Sequence, residues 1–284
     1  MFRRSIYKTP AQLQAMVEPG LITAAALDAI RPLIRAGVTT LELDTQANRT
    51  IRSRGAESNF QLVRGYHHTV CVSVNEEVVH GIPTDRVLQP GDIVSVDCGA
   101  QYQGWNGDSA ISVVVPDPDR PEIVSLREEL SRVTEGSMWA GIAAMASATH
   151  IGDLGTAIQE YIEAQGVSEV SGEPYGILRE YVGHGIGRKM HEAPSVFNYR
   201  TPDPGPEIKP GLVLAIEPMV TAGGEETYIE DDDWTVSTVD GTDGSHWEHS
   251  VALHAGGIWV LTSPDGGAAG LAPFGVTPTS IALP

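Results

Sequence analysis

The sequence predicts an α+β fold in which helices pack on a mainly antiparallel sheet and two similar halves face each other across a shared site. Three observations carry this reading. The order helix, helix, strands occurs twice along the chain. In the second helix of each half, Leu43, Ile51 and Gly55 recur as Leu154, Ile162 and Gly166, each 111 residues later. Between these helices, "GDIVSVD" and "SAISVVV" alternate with the period of two that a strand requires, on either side of the glycine-studded "CGAQYQGWNG".

The elements follow in order. "TPAQLQAMVEPGLITAAALDAIRPLIRAG" reads as a long first helix, with Thr9 as its cap, Pro10 in its first turn and Gly37 as its stop. "LELDTQANRTIRSRG" is the second helix, with Leu43, Ala47 and Ile51 at four-residue spacing and Gly55 at its end. A strand follows around "TVCVSVN", and then the hairpin. A reversal at Tyr102 and Gln103 would set Asp97 directly opposite Asp108, with Cβ atoms about 4.5 to 5.5 Å apart. Helices return in "PEIVSLREELSRVTEGSMWAGIAAMA" and "IGDLGTAIQEYIEAQG", followed by strands in "LVLAIEP" and "SVALHAGGIWVLT". The Gly/Pro-rich tail, residues 263–284, is expected to be an extended or mobile appendage to a single domain spanning residues 1–262.

Composition narrows the class. With 284 residues, 41% of them hydrophobic, and no linker-like stretch in the middle, one large core is expected. No apolar run of signal-peptide length follows the basic start, and no segment is read as a membrane span, so a soluble, cytoplasmic monomer is expected. Two cysteines, Cys71 and Cys98, are too few for a disulfide framework and suit a reducing compartment. The formal charge is −19, but residues 1–64 carry nine Lys/Arg against five acids, a balance of +4, so the remainder stands at −23. That excludes a uniformly nucleic-acid-binding surface and leaves room only for a small basic patch.

Chemistry is carried by acids in apolar strand contexts. Like charges at Asp97 and Asp108 repel each other unless a cation sits between them. "VGHGIG" sets His184 between glycines, "AIEPMV" ends an apolar strand with Glu217, and "HWEHSVAL" starts another with Glu248. Taken singly, each has an ordinary explanation as a solvated strand end or a structural histidine. Together, four buried carboxylates would be costly to desolvate without compensation, and two divalent cations would neutralise them. An oxygen-rich set with one imidazole suits Mn²⁺, Fe²⁺, Co²⁺ or Zn²⁺, and the lack of thiolate argues against a structural zinc knot. Two such ions, about 3.5 to 4 Å apart, would lower the pKa of a shared water and polarise a carbonyl, so hydrolysis is the expected reaction.

Five motifs, "NEEVVHGIP", "GDIVSVDCGAQYQGWNGDSA", "YVGHGIGRKMHEAP", "PGLVLAIEPMV" and "WTVSTVDGTDGSHWEHSV", together resemble the type I methionine aminopeptidases of bacteria, in order, over residues 7–262. The resemblance implies the pita-bread fold, with pseudo-two-fold halves on a curved sheet, and removal of initiator methionine from nascent proteins and from peptides with a small second residue. It further implies that Asp97 chelates one metal ion, that His184 and Glu217 hold the other, and that Asp108 and Glu248 bridge both. By the same resemblance, His80 contacts the substrate near the scissile amide, His191 hydrogen-bonds the developing oxyanion, and Glu217 shuttles the proton of the attacking water. Tyr66, Cys71, Met190 and Trp234 match the residues that line the pocket for the methionine side chain.

Some positions depart from the family pattern. Gly99 stands where relatives often carry a hydroxyl, and "NFQLVRGYHHTVC" brings His67 and His68 into a loop, read as exposed histidines with extra metal contacts as the alternative. A proline-specific aminopeptidase of the same fold usually carries a further N-terminal domain, and only 79 residues precede His80 here. A non-catalytic pita-bread protein that binds a partner is the reading from another class, and such relatives lose metal ligands. The basic balance of the first 64 residues adds one further expectation, a transient contact with the ribosome.

Overall fold

The computed structural model describes residues 5–281. Arg3 and Arg4, which count toward the basic N-terminal balance, and the last three residues of the tail lie outside them.

Helix α1, Pro10–Ile30, begins as the sequence predicts. The Thr9 hydroxyl accepts from the Gln12 amide while the Gln12 side chain reaches back to the Thr9 amide, a reciprocal cap. It ends seven residues before the expected Gly37, at Ile30, and gives way to a short 3₁₀ turn, Arg31–Leu33. Pro32 lies in that turn and has no N–H to donate to the Asp28 carbonyl, although Pro19 is accommodated inside the same helix. Residues 10–33 are apolar and long enough, by length and composition, to cross a membrane, contrary to the expectation that no segment would be. Their apolar side chains are instead spent on the sheet: Leu13, Met16, Ile22, Leu27 and Ile30 are buried, and the helix lies across the hairpin.

Helix α2, Thr40–Ser53, is capped in the same reciprocal way by Thr39 and Glu42. Helix α3, Pro121–Ala144, packs against α4, Gly152–Glu163. The half-repeat has a structural basis. Leu43 and Ile51 in α2 and their counterparts Leu154 and Ile162 in α4 are all buried in one core. Gly55 and Gly166 both take positive φ after their helices, +73° and +82°, the left-handed turn that glycine enters without a Cβ penalty.

A nine-stranded sheet forms the centre of the molecule. In space its middle strands run Val70–Val74, Ile93–Tyr102, Trp105–Val114, Glu248–His254, Val213–Ile216, Gly183–Gly185 and Glu192–Val196, each antiparallel to its neighbour. The hairpin register differs from expectation by two residues. Gln103 and Gly104, both at positive φ, make the two-residue turn, so Asp97 pairs with Ala110 and Gly99 with Asp108. Asp97 and Asp108 are therefore diagonal neighbours on one face and not directly opposite.

The tail is packed, not extended. Leu271, in the short helix Ala268–Leu271, is fully buried in the main core, Ile281 closes a second cluster with Leu13 and Met16, and the Thr279 amide donates to the Ile258 carbonyl.

Candidate metal centre

Strand register alone brings the five expected ligands to one face. Asp97 pairs with Ala110, and Ala110 with Glu248, so a small residue separates the two carboxylates across three strands. Asp108 lies two residues before Ala110, on the same side of its strand. On the other flank His184 pairs with Ala215, and Glu217 follows two residues later. Serine hydroxyls fasten the hairpin strand Trp105–Val114 to the strand Glu248–His254. Ser250 Oγ accepts from the Asp108 amide (3.1 Å) and donates to the Asp108 carbonyl (2.8 Å), and Ser109 Oγ donates to the Glu248 carbonyl (2.6 Å).

The carboxylates are buried and poorly satisfied. Asp97 Oδ1, Asp108 Oδ1 and Glu248 Oε1 have no hydrogen-bond partner. Burial, followed by repulsion from neighbouring carboxylates, raises Asp108 and Glu248 well above the usual carboxylate range, and burial raises Asp97 and Glu217 as well. Orphaned acceptors inside a protein are costly, and a cation is the partner their chemistry accepts. His184 fits the same reading: its Nδ1 donates to the Gly185 carbonyl (3.0 Å), which leaves Nε2, 3.3 Å from Glu217 Oε1, free as a ligand. Ligand atoms of Asp108, His184 and Glu248 lie within 4.8 Å of one another, as do those of Glu217, His246 and Glu248. The residues present therefore fit a divalent metal centre.

One cavity of about 130 Å³ is lined by all eleven residues singled out in the sequence: the five above, His80, His191, Tyr66, Cys71, Met190 and Trp234. Its apolar end is a cluster in which Phe60 and Val63 join Tyr66, Cys71, Met190 and Trp234. The Tyr66 ring meets Trp234 edge-on at 5.0 Å and Phe60 at 6.2 Å, and its hydroxyl donates to the Val70 carbonyl (2.7 Å). His80 stands at φ +62°, a conformation uncommon for a residue with a side chain, and the next residue, Gly81, passes so close to Val72 that a Cβ there would overlap its backbone. Burial lowers the His80 pKa to about 4, with His246 and His191 adding to the effect, so its ring is neutral near pH 7. His191 packs edge-on against His184 with ring centres 4.4 Å apart.

Three residues of the cavity region were missed by sequence reasoning. Phe60 opens a short 3₁₀ turn, Phe60–Leu62, and Val63 follows it, in a stretch too short to show periodicity. His246, 1% exposed, turns Nε2 to within 3.7 Å of Glu217 Oε2. Its signal was available, since it stands two residues before Glu248 and so on the same side of an extended chain. His67 and His68 do not line the cavity; the His68 ring faces Asp44, 3.9 Å away, whose carboxylate accepts from the Thr69 and Val70 amides.

A curled antiparallel sheet with a cluster of carboxylates, an imidazole and an adjoining apolar pocket defines a metal-dependent hydrolase. Comparison with known proteins narrows the class. The sequence matches the model of metallopeptidase family M24 over residues 14–255. It is 41% identical over 257 residues to methionine aminopeptidase 1 of Bacillus subtilis, covering 90% of this chain and 98% of that one. Identity to methionine aminopeptidase 1 of Mycobacterium tuberculosis is 43% over 256 residues, with 90% and 94% covered. The crystal structure of the Thermotoga maritima methionine aminopeptidase superimposes with a TM-score of 0.83 at 38% identity, over 93% of this chain and 100% of that one. The chain belongs to metallopeptidase family M24, among its methionine aminopeptidases. A prolidase from Pyrococcus furiosus shares the fold, with a TM-score of 0.68 at 21% identity, but this chain covers only 65% of it.

Proposed function

We propose that the protein removes N-terminal methionine from nascent polypeptides and from peptides with a small second residue, in the cytoplasm, using two divalent ions. The observation that carries this is the meeting, in one cavity, of a carboxylate cluster with orphaned oxygens and an apolar pocket walled by Tyr66, Cys71, Met190 and Trp234. Asp97, Asp108, His184, Glu217 and Glu248 would hold the ions, which supply an activated water and a polarised scissile carbonyl.

The chain's own groups do the rest. Tyr66, Cys71, Met190 and Trp234 receive the unbranched thioether side chain, for which polarizable and aromatic walls are suited. Glu217 Oε takes a proton from the attacking water and passes it to the departing amide nitrogen, so the amine leaves neutral as the C–N bond breaks. His191 donates to the carbonyl oxygen as negative charge develops, and neutral His80 contacts the scissile amide. A second cavity of about 780 Å³ shares His191 and runs past Trp105, Arg188 and Lys8, giving the remainder of the peptide a way out.

Release of free methionine from Met-Ala-Ser and Met-Lys-Ser peptides tests this directly. The first should be cleaved and the second left intact; cleavage of Xaa-Pro dipeptides in place of either would move the reading to a proline-specific enzyme. The ribosome contact rests on the basic first 64 residues alone. Exposed Arg52 and Arg54, both changed to Glu, should weaken cosedimentation with ribosomes at low salt and leave peptide hydrolysis unchanged.

A further inference from the structure

We infer that His246 is a sixth ligand of the metal centre, giving each of the two ions one imidazole. The inference rests on the two-ion reading above, adds one ligand to the set that the sequence motifs supply, and departs from the family resemblance in one respect: Glu217 goes with His246 to one ion and His184 to the other, where the resemblance puts His184 and Glu217 on the same ion. His246 is 1% exposed, and its Nε2 has no hydrogen-bond partner. That nitrogen faces Glu217 Oε2 at 3.7 Å, too far for a hydrogen bond and close enough for both atoms to reach one ion. The described residues offer two sets that could hold an ion, Asp108 with His184 and Glu248, and Glu217 with His246 and Glu248. They share Glu248, and each contains one histidine.

The ordinary alternative is a core histidine that merely fills space. Two features argue against it. Buried imidazole nitrogens normally find a partner, and this one faces Glu217 and lies in one cluster with Glu248, whose Oε1 also lacks a partner. The backbone of His246 is also pinned from the core side: its amide donates to Ser95 Oγ (3.2 Å) and Ser112 Oγ (3.1 Å), and its carbonyl accepts from Ser112 Oγ (2.9 Å). Ser95 and Ser112 are themselves cross-strand partners in the hairpin that carries Asp97 and Asp108. The ring is thus held toward the cluster by the same hairpin that places two of its carboxylates. A second nitrogen donor would tilt the centre toward Fe²⁺, Co²⁺ or Zn²⁺ and away from Mn²⁺.

The test is X-ray absorption of the full-length protein loaded with two equivalents of Co²⁺, with imidazole scattering counted per metal. One imidazole per ion is expected; one imidazole per two ions would overturn the inference. In parallel, His246→Gln should lower affinity for one of the two ions by more than about 100-fold, the upper end of what losing an outer partner costs. A smaller loss, or none, would reduce His246 to a positioning residue or a packing residue and overturn the inference. If the variant fails to fold by circular dichroism, the wild-type imidazole count decides. Wild-type protein that takes up no cobalt would overturn the metal-centre reading itself, a result distinct from finding too few imidazoles.

Discussion

Three ligands at the centre have a small cross-strand neighbour: Ala110 stands between Asp97 and Glu248, and Ala215 opposite His184, so side chains that would otherwise crowd have room to converge. Residues beyond the ligands then divide by what they touch. His191 lines the cavity and is absent from both candidate metal sets, so His191→Ala should lower kcat by about 10²- to 10³-fold, as for other oxyanion donors, with metal content retained. A change confined to KM would show that it binds the ground state instead. Trp234 has a different task, packing edge-on against Tyr66 at the apolar end of the cavity. Trp234→Ala should narrow the difference in kcat/KM between methionine and leucine at the first position, by about 1 to 3 kcal/mol of lost discrimination, with the metals still bound. If the variant only loses stability and keeps its selectivity, Trp234 is core and not pocket.

At the scale of elements, the hairpin Ile93–Tyr102 and Trp105–Val114 does most of the positioning, and its weak point is Gly99. A Cβ there would overlap the Asn59 side chain, which is 2% exposed and donates from Nδ2 to the Gly107 carbonyl (3.3 Å). Gly99→Ala should therefore destabilise the protein by about 1 to 3 kcal/mol in urea unfolding, with metal affinity reduced because Gly99 pairs with Asp108. An alanine variant as stable as the parent would mean that Asn59 moves freely. Gly99 also explains itself here: the hydroxyl that relatives often carry has no room beside Asn59. Much of this layer was legible in the sequence. Caps at Thr9 and Thr39, apolar spacing in α2 and α4 and period-two strands are local signals, and they place the helices and the ligand-bearing strands. The two-residue error in register came from the turn, because Gln103 in a left-handed conformation is not something its side chain advertises. Helix α1 gives way to a 3₁₀ turn at Arg31 and does not reach Gly37, and the tail's Leu271 and Ile281 find buried places that a Gly/Pro-rich composition hides. His246 was passed over because a histidine beside a tryptophan reads first as core, and only the three-dimensional cluster shows that its nitrogen lacks a partner.

For the whole molecule, the centre couples folding to metal and to pH. In metal-free protein the folded state holds Asp108 and Glu248 above the ordinary carboxylate range, mainly through burial. Folded protein then keeps protons that the unfolded chain has released, so the contribution of these two groups to stability should fall as pH rises above about 4, while the buried histidines His80, His184, His246 and His249, lowered by burial, contribute the opposite slope below about 6.5. Bound divalent ions displace those protons and should flatten the slope, as should Asp108→Asn in the metal-free state. Urea unfolding across that range, with chelator and with metal, measures both slopes; a metal-free protein that grows more stable toward pH 8 by the same amount in parent and variant would contradict the account. The central claim is that the carboxylate cluster acts through bound metal on N-terminal methionine. It is tested most directly by measuring methionine release from Met-Ala-Ser by chelator-treated protein as Co²⁺ or Mn²⁺ is returned stepwise. No release without metal, and release that rises and levels off as the cluster fills, is the predicted result. Undiminished release from protein shown to be free of metal would contradict it.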